Sequence, residues 1–288
     1  MSALPTVPPA VLARVDALAA DLGAAERKIA EYLLTCPTDI VYLSITELAD
    51  RTDTSEATII RFARRLGYSG YAALKIALAL DLHASAPPLP GELSPDDAIT
   101  TIKAKVINAG VESLRDTAQL LDDAALTRAV DALVGARRIE VYGVGSSAAI
   151  AQDSYALFLQ IGLPVAAITD PHLQVMSAIQ LGPEDVALAI SVSGSTRDTV
   201  EALQAAKDAG ATCLCLTRHA RSPITRVAHI TLLAASRPAT VGGHQLIGRV
   251  AQLAVLDVLA TAAALRRQDD SLQVLARGRQ AISATKRF

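Results

Sequence analysis

The sequence predicts two domains: an all-α N-terminal domain, and an α/β domain in which helices flank a five-stranded parallel sheet. Three observations carry this. The stretch Ala84-Ser-Ala-Pro-Pro-Leu-Pro-Gly-Glu-Leu-Ser-Pro95 holds four prolines and a glycine, which interrupt any helix or strand. Before it, every apolar segment repeats with helical spacing, as Leu22, Ile29, Ala30, Leu33 and Leu34 do. After it, short apolar runs alternate with amphipathic segments of helical length, the pattern of βαβ units with right-handed crossovers. The expected boundaries are 1–83 for the helical domain, 84–96 for a linker and 97–288 for the α/β domain with its flanking helices.

Taken in order, helices are expected from Ile99 to Leu121 and from Ala124 to Val134. The strand candidates are Ile139 to Tyr142, Val165 to Ile168, Val186 to Ser191, Cys213 to Leu216 and Ile230 to Leu233. The chain has 288 residues and is 51% hydrophobic but only 3% aromatic, with no Trp, which suits close-packed helices over buried parallel strands. A net charge of −2 gives no global sign of nucleic acid, so any DNA contact must come from a local cluster. The N-terminal residues do not read as a signal peptide, and no apolar run reaches membrane-spanning length, so a cytoplasmic protein is expected. Cys36, Cys213 and Cys215 make neither a CxxC pair nor a disulfide framework, and read as buried thiols. No metal or cofactor is expected.

Within the helical domain, Ser44-Ile-Thr-Glu47 is a capping box that opens a short helix through Leu48 and Ala49. Arg51-Thr-Asp-Thr54 is a tight connection. A second helix opens at Thr54 or Ser55, turns Ala57, Ile60 and Ala63 toward a core, and stops at Leu66 before Gly67. Two short helices so joined form a helix-turn-helix, whose second helix lies in the major groove and brings Ser55, Glu56, Thr58 and Arg61 to the DNA. Arg61, Arg64 and Arg65 share one helix face, and Ser44 and Lys75 flank the motif. A helical hairpin with solvated arginines accounts for the same residues on spacing alone.

In the α/β domain, Gly143-Val-Gly-Ser-Ser147 passes from the first strand to a helix, and Ser191-Val-Ser-Gly-Ser-Thr196 does the same after the third. Gly145 and Gly194 allow close backbone approach. Helix amides with the hydroxyls of Ser146, Ser147, Ser191, Ser193, Ser195 and Thr196 suit an anion at the carboxyl ends of parallel strands. Taken singly, each loop is equally an ordinary set of helix caps.

Leu22 to Leu80 resembles the N-terminal domain of RpiR/MurR-type regulators, notably in Glu26-Arg27, Ser44-Ile-x-Glu47-Leu-Ala49, Ser55-Glu-Ala-Thr58, Arg61-Phe62 and Leu66-Gly67. The turn departs from the family's Ala-Gly-Val type, with Thr52-Asp53-Thr54 in its place. Arg138 to Ala234 resembles a sugar isomerase (SIS) domain, with GVGSS and SVSGST at its two phosphate loops. The resemblance implies that Ser147, Ser191, Ser193 and Thr196 hold a sugar phosphate. It also implies a transcription factor that binds an operator in double-stranded DNA as a dimer or tetramer. Thr169-Asp-Pro-His172 with Met176-Ser177-Ala178 is similar to the HexR-like subgroup, which makes His172 a further candidate contact.

Isomerases of this fold need a carboxylate near the helix after the last strand. Here that region reads Gly242-Gly-His244-Gln-Leu-Ile-Gly-Arg249, with no Glu, so binding without catalysis is expected, with His244 and Arg249 as candidate contacts. Gly143-x-Gly145-x-x-Ala148, with Asp170 after the next strand, leaves dinucleotide binding as a competing reading, although it does not account for Ser191 to Thr196.

Overall fold

The computed structural model describes residues 11–18, 22–85, 93–236, 240–241, 244–245 and 249–285. The chain forms two compact units, one of Met1–Ala109 with Pro238–Ile247, the other of Gly110–Arg237 with Gly248–Phe288.

In the first unit, α1 (Val11–Leu18), α2 (Ala24–Thr35), α3 (Pro37–Tyr42), α4 (Ile45–Arg51), α5 (Glu56–Arg65) and α6 (Tyr71–Ser85) enclose one apolar core. Leu22, Ile29, Ala30 and Leu33 are buried as expected, whereas Leu34 is 42% exposed. The α5 face also differs from expectation. Ile59, Phe62, Ala63 and Leu66 are buried, Ala57 is exposed and Ile60 half-buried. Positions 59, 62, 63 and 66 form an i, i+3, i+4, i+7 stripe that buries an isoleucine, a phenylalanine and a leucine, worth about 1.5–3 kcal/mol each. The expected face of Ala57, Ile60 and Ala63 would bury one isoleucine and two methyls, much less apolar area. Helix α6 continues through Ser85, two residues into the expected linker; residues 86–92 of that linker lie outside the described residues.

The long helix α7 (Ile99–Leu120) runs across the division between the units and is followed by α8 (Asp123–Gly135), which Asp122 caps through the amide of Ala125 at 2.7 Å. Then come β1 (Arg138–Tyr142), α9 (Ser146–Gln160), β2 (Val165–Ile168), α10 (Pro171–Ala178), β3 (Asp185–Ile190), α11 (Arg197–Asp208), β4 (Thr212–Thr217), α12 (Pro223–Val227) and β5 (Ile230–Leu233). All five strands are parallel, in the order β2-β1-β3-β4-β5. Strand alternation divides the side chains between two layers. Ile139, Val141, Val186, Leu188, Ile190, Leu214 and Leu216 pack on α8, α9 and α13 (Arg249–Arg266). Tyr142, Ala187, Ala189, Cys213 and Cys215 pack on α10, α11 and α12. The small residues of the second layer let its helices lie close, and burial pushes the thiols of Cys213 and Cys215 up to about 12 and about 11. Helix α14 (Gln268–Thr285) follows α13.

A two-stranded antiparallel ladder of β6 (Thr240–Val241) and β7 (His244–Gln245) was not expected from the sequence, where residues 240–245 hold one large apolar side chain, Val241. Among the described residues, no helix is long and apolar enough to cross a membrane, and no group of His, Cys, Asp or Glu could hold a metal ion.

Candidate functional site

In the helical unit the Ser44 hydroxyl accepts the Glu47 amide at 3.1 Å and Glu47 Oε2 accepts the Ser44 amide at 2.7 Å, completing the capping box. The turn to α5 places Asp53 at φ +49°, the left-handed region, at the centre of the connection where the resemblance leads one to expect glycine. Lys28 pairs with its carboxylate at 2.7 Å and holds it below the usual carboxylate range. Ser55 caps α5 through the Thr58 amide.

The eight candidate DNA residues divide into two groups. Ser55, the N-cap of α5, and Arg61 and Arg64 on that helix are exposed. The others are buried or bonded to other helices or their ends. Ser44 is a buried cap, and Glu56 accepts the Thr46 hydroxyl at 2.5 Å. Thr58 is buried, bonds the Ser55 hydroxyl at 2.8 Å and accepts from Arg61 Nη2 at 3.2 Å. Arg65 pairs with Glu26, and Lys75 donates to the Leu43 carbonyl at 3.0 Å from a position over the Tyr71 ring. Ala57, expected in the core, is exposed in the first turn of α5, beside the Ser55 cap.

In the α/β unit, β1 lies between β2 and β3, so the chain leaves β1 in one direction and returns past it for β3. The helices after these neighbouring strands, α9 and α11, pack on opposite faces of the sheet. Adjacent strands whose connections part in this way leave a crevice at their carboxyl ends, the position where open α/β sheets hold ligands. Both hydroxyl-rich loops stand there. At Gly143 a Cβ would lie 2.6 Å from the Ser147 carbonyl oxygen, and Gly145 has φ +59° as the N-cap of α9. Gly194 has φ +62°, and a Cβ there would lie 2.2 Å from Ser222 Oγ. These positions need glycine.

The loop hydroxyls do not cap the helices that follow. Gly145 offers α9 no side chain, and Thr196 makes no side-chain cap bond to α11. Instead Ser191 Oγ and Thr196 Oγ1 lie 3.0 Å apart, Ser193 Oγ accepts the Ser195 amide at 3.2 Å, and Ser195 Oγ donates to the Ser193 carbonyl at 3.2 Å. Ser191 and Ser147 are buried; Gly145, Ser146 and Ser193 are exposed. His172 is exposed in the first turn of α10, whose N-cap is Asp170 through the Leu173 amide at 3.0 Å. One oxygen of the carboxylate that the dinucleotide reading assigned to a ribose thus serves as a helix cap. Arg249 is exposed at the start of α13, and His244 lies on β7. Residues 242–243 and 246–248, which bear on the expected lack of a carboxylate, lie outside the described residues.

Two family models match the chain: the rpiR-family helix-turn-helix domain over residues 10–85 and the SIS domain over residues 132–262. An uncharacterized HTH-type transcriptional regulator of Caldanaerobacter subterraneus subsp. tengcongensis is 37% identical over 96% of this chain and 98% of its own. The HTH-type transcriptional regulator HexR of Pseudomonas aeruginosa is 36% identical over 96% of both chains. Among solved structures, Vibrio vulnificus NanR complexed with ManNAc-6P superposes with a TM-score of 0.85 at 27% identity, covering 97% of this chain and all of that one. A helical domain with a helix-turn-helix, a five-stranded parallel sheet with two serine loops at its switch point, and relatives aligned through both place the chain in the rpiR family of HTH-type transcriptional regulators, with a C-terminal SIS domain.

Proposed function

We propose that the protein is a regulator of carbohydrate metabolism whose grip on an operator changes when a phosphorylated sugar binds the SIS domain. One observation carries the effector half of this reading: the loop hydroxyls of Ser191, Ser193, Ser195 and Thr196 stand at a ligand crevice without serving as helix caps. Charge-assisted hydrogen bonds from hydroxyls and helix-terminal amides suit a phosphate dianion. The relatives named HexR, and NanR complexed with ManNAc-6P, support the class of ligand. On the DNA side, Ser55, Arg61 and Arg64 face the major groove from the start and outer face of α5, Glu56, Thr58 and Arg65 hold that helix in place, and Lys75 braces the end of α3. Gly145, Ser146, Ser147 and Gly194 shape the phosphate cradle, and His172, His244 and Arg249 supply sugar contacts.

The chain acts as a cytoplasmic homo-oligomer, since helix-turn-helix proteins read paired half-sites. It binds its sugar phosphate without converting it. Titration of an operator fragment, selected from genomic DNA, against a panel of sugar phosphates tests the whole reading: one panel member should shift the operator midpoint. In the same solutions the panel should remain unconverted. An operator affinity indifferent to every sugar phosphate contradicts the sensing role.

A further inference from the structure

Gln174 is wholly buried on α10 and belongs to none of the motifs that pointed to the site. Its Nε2 donates to the carbonyl of Ile168, the last residue of β2, at 2.8 Å, and to that of Gly143, the first residue after β1, at 3.3 Å. One amide thus bridges the carboxyl ends of two neighbouring strands. Its orientation is fixed, because turning it over would set Oε1 against both carbonyls. Held this way, Oε1 is buried and has no hydrogen-bond partner among the described residues. An unpaired buried carbonyl oxygen opposes folding, so stability alone does not account for Gln at this position.

The bond to Gly143 acts where the loop is tightest, since a Cβ there would strike the Ser147 carbonyl. The first turn of α9 therefore packs directly on the residue that Gln174 holds. Helix α10 is fastened at a second level too: Ser177 Oγ donates to the buried Glu140 at 2.6 Å and accepts from Arg138 Nη2 at 3.0 Å. Glu140 also accepts the Tyr142 hydroxyl at 2.6 Å and pairs with Arg138. The helix is thus a fixed post against which the Gly143 peptide is set.

We propose that Gln174 is the positioning residue of the effector site: it fixes the Gly143–Val144 peptide so that the α9 amides and Ser147 converge on the phosphate of the bound sugar. The proposal rests on the reading of that crevice as the effector site, and the test separates the two.

Calorimetric titration of the full chain with a panel of hexose 6-phosphates compares the parent, Gln174→Met, Gln174→Glu and Ser193→Ala/Thr196→Ala. The tightest panel ligand should bind Gln174→Met about tenfold or more weakly, the equivalent of losing one buried hydrogen bond. Operator affinity without sugar phosphate should stay at the parent value, and a thermal melt checks that the α/β unit is folded. If Gln174→Met binds sugar phosphate as the parent does while the serine and threonine double variant does not, Gln174 has no positioning role although the site stands. If the parent binds no panel member, the site reading fails and takes the proposal with it.

Gln174→Glu supplies a second test that holds even where Gln174→Met does not fold. Only the protonated acid can donate to Gly143. The deficit relative to the parent should therefore be larger at about pH 8 than at about pH 6. An equal deficit at both contradicts the assignment.

Discussion

Arg65 Nη1 lies 2.7 Å from Glu26 Oε2, tying the end of α5 to the first turn of α2. The pair is half-sheltered, with the two side chains 40% and 19% exposed. It joins Glu26, which lies outside the helix-turn-helix in sequence, to the last turn of its second helix. Arg61, one turn earlier on the same helix, and Arg64, the residue before, are exposed.

Arg61→Ala and Arg65→Ala should therefore behave differently. The first removes a guanidinium from the proposed DNA face and should cost about 1–3 kcal/mol in specific operator binding, with the melting temperature unchanged. The second should lower the melting temperature slightly, by the ~1 kcal/mol or less of a partly exposed pair. Operator titration beside a thermal melt distinguishes them, and an Arg61→Ala chain that binds at parental strength contradicts the placement of α5.

Asp53 occupies a left-handed conformation that aspartate tolerates and a β-branched residue does not. Asp53→Val should destabilise the helical domain by about 1–2 kcal/mol, while Asp53→Gly should be close to neutral, trading relief of strain against chain entropy. Denaturant unfolding followed by circular dichroism measures both.

Gly194 meets two constraints at once: φ +62° and a Cβ position 2.2 Å from Ser222 Oγ. Gly194→Ala should cost about 1–3 kcal/mol of stability and weaken sugar phosphate binding, because the β3 loop must move to admit the methyl. A variant with parental melting temperature and affinity shows that the loop yields more easily than its contacts imply.

The thiols of Cys213 and Cys215 are buried and pushed up to about 12 and about 11, so near pH 8 each is almost wholly in the protonated, unreactive form. Iodoacetamide should modify only Cys36 in the native protein and all three cysteines after denaturation. Mass spectrometry of the intact chain counts the labels.

The strands were legible because parallel strands buried on both faces are short apolar runs, and each expected strand falls within a residue or so of its observed ends. The glycines were legible too, since Gly67, Gly145 and Gly194 punctuate segments whose periodicity stops there. What spacing could not show was which polar residues were already engaged. Thr58 and Arg65 looked like neighbours of Arg61 on one helix, but the first is consumed at a helix start and the second by α2, 39 residues away in sequence. Gln174 carries no local signal at all, because the two carbonyls it bridges belong to strands brought together only by the sheet.

The central claim is that the loops after β1 and β3 sense a ligand on behalf of the DNA-binding domain. A ligand can change operator affinity only by favouring one arrangement of the protein over another, and such couplings are typically about 1–3 kcal/mol. The most direct measurement is operator binding by the parent chain and by Ser193→Ala/Thr196→Ala, each titrated across a range of sugar phosphate concentrations. The parent midpoint should shift with sugar phosphate. The double variant should bind the operator at parental strength in its absence and show no shift at any concentration that moves the parent. A double variant that responds at the parent's concentrations would contradict the account and leave these hydroxyls without a part in sensing.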